Sequence, residues 1–134
     1  MSEAELAHVL ERVNGPHQFS AANNILVTHM ERDHARGELT VGENSVNPYG
    51  NVHGGALTTL ADVVGGCCAC SRGGRCVTLS CTMEFLRPAA GPKIYCTATP
   101  KKMGRKVSVI QLELTDEAGD MVATGTYSYF MGEA

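Results

Sequence analysis

No apolar run in this sequence approaches the roughly 18 to 20 residues that a membrane-spanning helix needs. The chain starts Met-Ser-Glu-Ala-Glu-Leu, with no basic segment before an apolar one, so no secretory signal is predicted. A net charge of −3 argues against nucleic acid as the main partner. These absences favour a cytoplasmic enzyme or binding domain that works on neither a membrane nor nucleic acid.

Histidine is absent after His53, and the sequence shows no Ser-His-Asp set. The six cysteines all lie between residues 67 and 96, and Cys67 and Cys70 form a C-x-x-C pair. A zinc site usually shows a second such pair at matching spacing, and none is present. Without an export signal the thiols are expected to stay reduced. The sequence therefore predicts free, mostly buried cysteines that act as small apolar fillers, and no metal site.

The length and composition indicate one domain. With 134 residues, 43% of them hydrophobic and 19% charged, the chain is large enough for one core and too short for two. We predict a single domain over residues 1–134, in which residues 1–18 form an N-terminal helix and linker. Apolar residues at helical spacing predict that helix over 2–14, where Asn14-Gly15-Pro16 ends it.

In the rest of the chain, two predicted strands precede one long helix and four predicted strands follow it. A hairpin is predicted from strands at 25–32 and 35–41, followed by a loop over 44–50. After Cys76 the apolar period is 2 and predicts half-buried strands, at 76–86, 93–99, 106–115 and 121–130. Turns at 101–105 and 116–120 are short, so neighbouring strands are expected to be antiparallel. The prediction is an α+β domain in which about six antiparallel strands pack on one long central helix.

The central helix is predicted to start within residues 51–55 and to end before Arg72-Gly73-Gly74, and it has two different faces. Five residues at the spacing of a buried stripe form the first: Leu57, Leu60, Ala61, Val64 and Cys68. The second carries little bulk and one charge, Asp62. Glycines inside a helix cost about 1 kcal/mol each, so Gly65 and Gly66 indicate a close neighbour such as a ligand, a second backbone or another copy of the helix. Alternatively, they end the helix, because glycine is the usual C-cap residue.

At the start of this helix, the Gly54-Gly55 pair is expected to leave the first N–H groups free of side-chain cover. Free N–H groups at a helix N-terminus can bind an oxygen that develops negative charge. The carboxylate of Asp62 lies about two turns further along. This combination of N–H donors and a carboxylate predicts that the chemistry takes place here.

Several motifs together resemble the hotdog-fold acyl-CoA thioesterases, in particular the PaaI-like branch of the phenylacetate pathway. They are the stretch Asn47-Pro-Tyr-Gly-Asn-Val-His-Gly-Gly, Asp62 nine residues after His53, Phe85-Leu-Arg-Pro-Ala, Gly104-Arg105 and the order of the elements. The resemblance implies a hotdog fold, with the sheet wrapped around the helix. It also implies a homodimer with joined sheets, usually a homotetramer, and active sites that use residues of both chains.

The resemblance also assigns roles in the hydrolysis of an acyl-CoA to free acid and CoA. Asp62 matches the general base or nucleophile, and the N–H of Gly55 matches the group that polarises the thioester carbonyl. Asn47 resembles the side chain that orients water, and Thr78 falls where relatives place a hydroxyl that does the same from the partner chain. His53 would hold the loop and the carbonyl environment. No separate cofactor is expected, because CoA is part of the substrate, and the low aromatic content favours an aryl or medium-chain acyl group.

Basic residues near a glycine turn suggest where the phosphates of CoA bind. Lys101, Lys102, Arg105 and Lys106 surround Gly104, and Arg87 ends an adjacent strand. Arg105 is the leading candidate, because a guanidinium can bind phosphate through two hydrogen bonds. Basic hairpin turns also serve to keep sheet edges soluble, so the pattern has a second interpretation.

Two other functions use the same fold. A hydratase or dehydratase acting on acyl thioesters needs a proton-moving histidine paired with an acid, and His53 lacks the Pro-Gly context found in such enzymes of this fold. A non-catalytic acyl-CoA-binding module would have no use for Asp62. The sequence therefore favours the thioesterase.

Overall fold

Three α-helices and six strands make up the fold in a computed structural model, which describes residues 1–133. Ala134, the last residue of the predicted domain, lies outside the described residues. The helices are α1 (Glu3–Val13), α2 (Phe19–Ala22) and α3 (Gly54–Ala69). The strands are β1 (Ile25–Glu31), β2 (His34–Thr40), β3 (Arg75–Phe85), β4 (Lys93–Met103), β5 (Val107–Thr115) and β6 (Met121–Gly132). No helix within 1–133 combines the length and the apolarity needed to cross a bilayer.

The strands form one antiparallel sheet in the order β1-β2-β4-β5-β6-β3, and α3 contacts all six of them. The predicted α+β architecture is therefore confirmed. The five residues of the predicted buried stripe on α3 are each at most 3% exposed. They pack against alternate residues of the sheet, among them Ile94, Ile110 and Leu112, which are fully buried. Burying one leucine or isoleucine contributes about 1.5–3 kcal/mol, so this layer dominates the stability of the fold.

The two glycines of α3 do not end the helix, which continues to Ala69. The interpretation of Gly65 and Gly66 as a C-cap is therefore wrong. A Cβ at Gly65 would collide with the hydroxyl of Tyr129, a buried residue of β6. The close neighbour at Gly65 is thus a side chain of the same chain's own sheet.

Strand β3 is exposed on both faces, which corrects the prediction of a half-buried strand. It ends the sheet and pairs only with β6, so no strand covers its outer edge. Val77 is 64% exposed and Leu79 54%. Cys81 is exposed as well and is no core filler, whereas Cys67, Cys68 and Cys96 are buried as predicted.

A bulge between Thr78 and Ser80 also changes the alternation of β3. Before the bulge the even-numbered Thr78 faces α3, where it meets Asp62. After it the odd-numbered Phe85 faces the start of α3 and lies against Gly54. The predicted alternation of odd-numbered apolar residues therefore holds only beyond the bulge.

The opposite edge of the sheet is covered. Helices α1 and α2 both contact β1. The side chain of Asn14, the C-cap of α1, accepts a hydrogen bond from the Val27 N–H at 2.9 Å and donates one to the Val27 carbonyl at 2.8 Å. The two edges of the sheet therefore differ, since β1 is capped and β3 is open.

The basic turn is shorter than predicted. Strand β4 continues to Met103, with a bulge between Pro100 and Lys102, so Lys101 and Lys102 belong to the strand and not to the turn. Proline cannot donate a hydrogen bond to the ladder, which accounts for the irregularity at this point.

Candidate active site

Asp62 lies midway along α3 and faces β3 and β6. Its Oδ1 accepts a hydrogen bond of 2.7 Å from the hydroxyl of Thr78. The hydroxyl of Tyr129 donates to the backbone carbonyl of Asp62 at 2.9 Å and lies 3.4 Å from Oδ1. No described group forms a hydrogen bond with Oδ2. One carboxylate oxygen is therefore held, and the other is available for chemistry.

Thr78 thus contacts the carboxylate of its own chain. The resemblance had implied that this hydroxyl orients water from the partner chain. The bulge in β3 explains the contact, because it makes Thr78 and not Val77 face the helix.

Tyr129 was missed by sequence reasoning. It is 1% exposed, and burial raises the pKa of its hydroxyl, with the nearby negative charge of Asp62 adding to the effect. The hydroxyl therefore stays protonated and serves as a donor. The sequence signal was the pair Tyr127 and Tyr129, two residues apart on one face of β6. Tyr127 likewise donates to the carbonyl of Thr58, at 2.9 Å.

The carboxylate of Asp62 opens onto a cleft of about 360 Å³. Small apolar residues from α1, α3 and β3 line much of it: Val9, Val13, Val63, Cys67 and Val77. Cys70 and Cys76 border the same cleft with their sulfur atoms 3.0 Å apart. The hydrogen bond between the two thiols lowers the pKa of the Cys70 thiol. The cleft suits an apolar group of modest size beside a carboxylate.

Contrary to the sequence prediction, the N–H groups at the start of α3 are not all free, because a side chain accepts a hydrogen bond from one of them. His53 is the N-cap, and its Nδ1 accepts a hydrogen bond of 2.8 Å from the Gly55 N–H. The expectation that both first N–H groups are free of side-chain cover is therefore wrong for Gly55. An imidazole that accepts through Nδ1 is neutral and carries its proton on Nε2. The N–H of Gly54 has no acceptor among the described residues, so the free donors here are the Gly54 N–H and the Nε2–H of His53.

Asn47 organises the loop before α3. Its Oδ1 accepts hydrogen bonds from the N–H groups of Tyr49, at 2.9 Å, and Asn51, at 3.1 Å. With Gly54, Phe85 and Arg87 it lines a second cleft, of about 380 Å³. The Nδ2 group of Asn47 has no hydrogen-bond acceptor within residues 1–133 and is the part of this side chain that can reach a ligand.

Within one chain the predicted residues fall into separate groups. Thr78 forms a hydrogen bond with Asp62, and His53 forms one with Gly55. Asn47 lines the same cleft as Arg87. Seven residues separate Gly55 from Asp62, which corresponds to about 10 Å along the helix axis. The N-terminus of α3, formed by His53, Gly54 and Gly55 and called the helix mouth below, therefore belongs to a different cleft from the Asp62 carboxylate of the same chain.

The predicted phosphate-binding residues also lie apart within one chain. Arg87 follows the end of β3, and its Nη1 is 3.5 Å from an Asp120 carboxylate oxygen. Lys102 lies near the end of β4, and Arg105 and Lys106 lie in the turn that follows it, at the opposite end of the antiparallel sheet. All four side chains are exposed.

Comparison of the sequence and the structure with known proteins identifies the family of this chain. The profile of the thioesterase superfamily matches residues 49–123. The acyl-coenzyme A thioesterase PaaI of Escherichia coli is 31% identical over 103 residues, which cover 76% of this chain and 74% of PaaI. Human acyl-coenzyme A thioesterase 13 is 29% identical over 99 residues, or 71% of each chain.

Solved structures agree with these sequence matches. The E. coli PaaI protein of the phenylacetic acid degradation operon superposes with a TM-score of 0.86 at 26% identity, over 97% of this chain and 96% of that chain. PA5202 of Pseudomonas aeruginosa gives 0.81 at 27% identity, over 84% and 92%. The chain belongs to the thioesterase superfamily. The predicted hotdog fold and the predicted similarity to the PaaI-like branch are both confirmed.

Proposed function

We propose that this protein is an acyl-CoA thioesterase that hydrolyses an aryl- or medium-chain acyl-CoA to free acid and CoA, with Asp62 as the reacting carboxylate. The observation that carries the proposal is the carboxylate itself, which Thr78 and Tyr129 hold at the wall of an apolar cleft with one oxygen left free. The names of the similar proteins support the same activity.

Two routes are open to the Oδ2 atom. As a general base, it takes a proton from a water molecule whose oxygen adds to the thioester carbonyl carbon; the C–S bond then breaks, and the leaving thiolate takes up a proton. As a nucleophile, it attacks the carbonyl carbon and expels the thiolate, and water then opens the mixed anhydride. Both routes give acid and thiol, and both build negative charge on the carbonyl oxygen.

The negative charge on the carbonyl oxygen must be stabilised by hydrogen-bond donors. The N–H donors of the same chain's helix N-terminus lie too far from Asp62 for direct attack. In direct attack, the carboxylate lies about 3 Å from the carbonyl carbon and a donor about 3 Å from its oxygen, which allows a span of only about 6–7 Å. The helix mouth of the same chain is about 10 Å away along the axis. For direct attack we therefore assign the donors to the N-terminus of α3 in a second copy: the N–H of Gly54, the Nε2–H of His53, and the N–H of Gly55 if the His53 ring moves off it. For the general-base route we propose the same donors, because the open edge of β3 lets a second copy supply them.

The open edge of β3 supports this arrangement. Two copies related by a twofold axis can pair their β3 strands in an antiparallel manner and bury the exposed Val77 and Leu79. Such pairing brings the Arg75 end of one strand beside the Phe85 end of the other. The carboxylate and Thr78 of one chain then approach the cleft of Gly54 and Asn47 in the second, so the site is formed by both chains.

The same pairing relates the separated basic residues. Arg87 of one chain comes to the end of the dimer that carries Lys102, Arg105 and Lys106 of the other. We propose that these cations bind the phosphates of CoA, with Arg105 as the main contact. A homotetramer, a cytoplasmic location and the lack of a separate cofactor complete the proposal.

The test is turnover on a panel of acyl-CoA thioesters, aryl and straight-chain. Loss of thioester absorbance is the better readout, because the exposed Cys81 would react with a thiol reagent. Asp62→Asn keeps the size of the side chain and removes its charge. We expect it to lower kcat by about 100-fold or more, because a general base typically contributes a factor of about 10² to 10⁴, while CoA still binds.

Glu113→Gln is the matched control, because this carboxylate is exposed on β5, away from both clefts. It should keep the wild-type rate. An unchanged rate in Asp62→Asn would refute the role of Asp62. Wild-type protein that binds CoA but cleaves no member of the panel would favour the acyl-CoA-binding module, and consumption of an unsaturated acyl-CoA without loss of thioester would favour the hydratase.

A further inference from the structure

Two histidines and a glutamate converge on the outer face of the β1–β2 hairpin, far from the proposed active site. The side chains are His29, Glu31 and His34. Each side chain offers one ligating atom, and these three atoms lie within 4.8 Å of one another. We propose that this hairpin binds one divalent transition-metal ion, of which Zn²⁺ is the best match, through these three side chains.

The distances are close to those of a zinc site. With Zn–N and Zn–O bonds of about 2.0–2.1 Å, a tetrahedral ion places its ligating atoms about 3.3 Å apart. The Nε2 of His29 is 3.5 Å from the Glu31 oxygen, and the Nδ1 of His34 is 3.6 Å from the same oxygen. Small side-chain rotations close the remaining gap, and a water molecule or a fourth ligand completes the coordination.

His34 gives an independent reason for a ligand. Its Nδ1 is buried and has no hydrogen-bond partner, and the 3.6 Å separation from Glu31 is too long for a hydrogen bond. A buried polar atom without a partner is costly and rare. Coordination to a cation that also binds Glu31 would remove that cost.

The backbone holds these side chains in place. His29 and Glu31 are two residues apart on β1, and His34 is the cross-strand partner of Glu31. The turn between them is tied to the end of α3, because the Asp33 N–H donates to the Ser71 hydroxyl at 2.8 Å and the Asp33 carboxylate pairs with Arg72 at 2.7 Å. The ligands are therefore positioned before the metal arrives, which lowers the entropy cost of binding.

The ligand types select the metal. Two imidazoles favour zinc, nickel or copper over calcium or magnesium, which prefer oxygen ligands. Arg36 lies opposite His29 in the register and so adds a positive charge near the site. We expect this charge to weaken binding, and Arg36→Gln to strengthen it. The prediction that the chain has no metal site rested on its cysteines, and the hairpin uses none of them.

The experiment is a calorimetric titration of tag-free protein with Zn²⁺ after removal of metals by a chelator. We expect one ion per chain, and affinity at least about tenfold weaker in His29→Ala and in His34→Ala. His17→Ala is the matched control, because this histidine is exposed and lies outside the cluster. Zn²⁺ should also raise the Tm of the wild type by several degrees, and do so much less in the two ligand variants.

The cysteines are the competing site, and Co²⁺ distinguishes them. A cobalt site with nitrogen and oxygen ligands lacks the strong near-ultraviolet band of thiolate coordination, and Cys70→Ser should leave it unchanged. The proposal is overturned if the wild type takes up no stoichiometric Zn²⁺, if the double variant of His29 and His34 binds as the wild type does, or if binding is lost in Cys70→Ser.

Discussion

The hydrogen bond from Thr78 to Asp62 allows a quantitative prediction. The donor and acceptor oxygens are 2.7 Å apart, the distance of a hydrogen bond to a charged group. Thr78→Val keeps the branched shape and removes the hydroxyl. A hydrogen bond to a charged group contributes about 1.5–3 kcal/mol. If the contact is needed in the transition state, kcat should fall by about 10- to 150-fold, since each 1.36 kcal/mol is a factor of ten.

The assay separates kcat from KM on the best acyl-CoA of the panel. Thr78 acts through Asp62, so the loss should appear in kcat while KM changes little, and Thr78→Ser should restore most of the rate. Thr82→Val, at another exposed position of β3, is the control and should keep the wild-type kcat. Urea unfolding checks that the variants are folded. A kcat within twofold of the wild type, or a loss confined to KM, would refute the positioning role of Thr78.

Three further predictions concern assembly and stability. Leu79→Lys at the open edge should dissociate the proposed β3–β3 dimer in analytical ultracentrifugation and abolish turnover although Asp62 is untouched, whereas Leu26→Lys on the capped edge should do neither. In urea unfolding, Gly65→Ala should destabilise the protein by about 1–3 kcal/mol, because the new methyl group meets a tyrosine hydroxyl. Gly66→Ala has ordinary contact distances and should be neutral or stabilising by up to about 1 kcal/mol, so equal effects would contradict the packing described here. Burial raises the pKa of Cys67 from 9.0 to about 12, so the folded state keeps a proton that the unfolded state releases. The free energy of unfolding should therefore fall between pH 9 and pH 12, by up to about 1.4 kcal/mol per pH unit for this thiol, and a Cys67→Ala variant should show a smaller fall.

Much of the fold could be predicted because the apolar periods are regular. The buried stripe of α3 and the change to a period of 2 after Cys76 gave the central helix and the strands that pack on it. The order of these strands in the sheet did not follow from the pattern, since it depends on pairings between residues far apart in sequence. The exposure of β3 was also missed, because apolar alternation looks the same in a strand buried by its own chain and in one that a second copy can cover.

The site was predictable in its parts but not in its contacts. Asp62 stood out as a lone carboxylate on a small-residue face, and the fold does direct it into a cleft. Its link to Thr78 depends on a one-residue bulge that leaves no clear mark in the sequence. The cover of the Gly55 N–H by His53 depends on a side-chain torsion, which spacing does not determine. The histidines of the β1–β2 hairpin were overlooked because one of their partners lies across the turn.

The side-chain amide of Asn14 hinders the addition of further strands at the β1 edge of the sheet. It occupies the outward backbone groups of Val27 as a short piece of extra strand would, so new strands can be added to the sheet on one side only. In the proposed pairing through β3, the two edges that remain are the capped β1 strands, so the assembly would be a closed pair and not a fibre. Loss of the Asn14 amide would free these two backbone groups and leave the contacts of α1 and α2 to cover this edge, so the barrier to further strand addition would be lower.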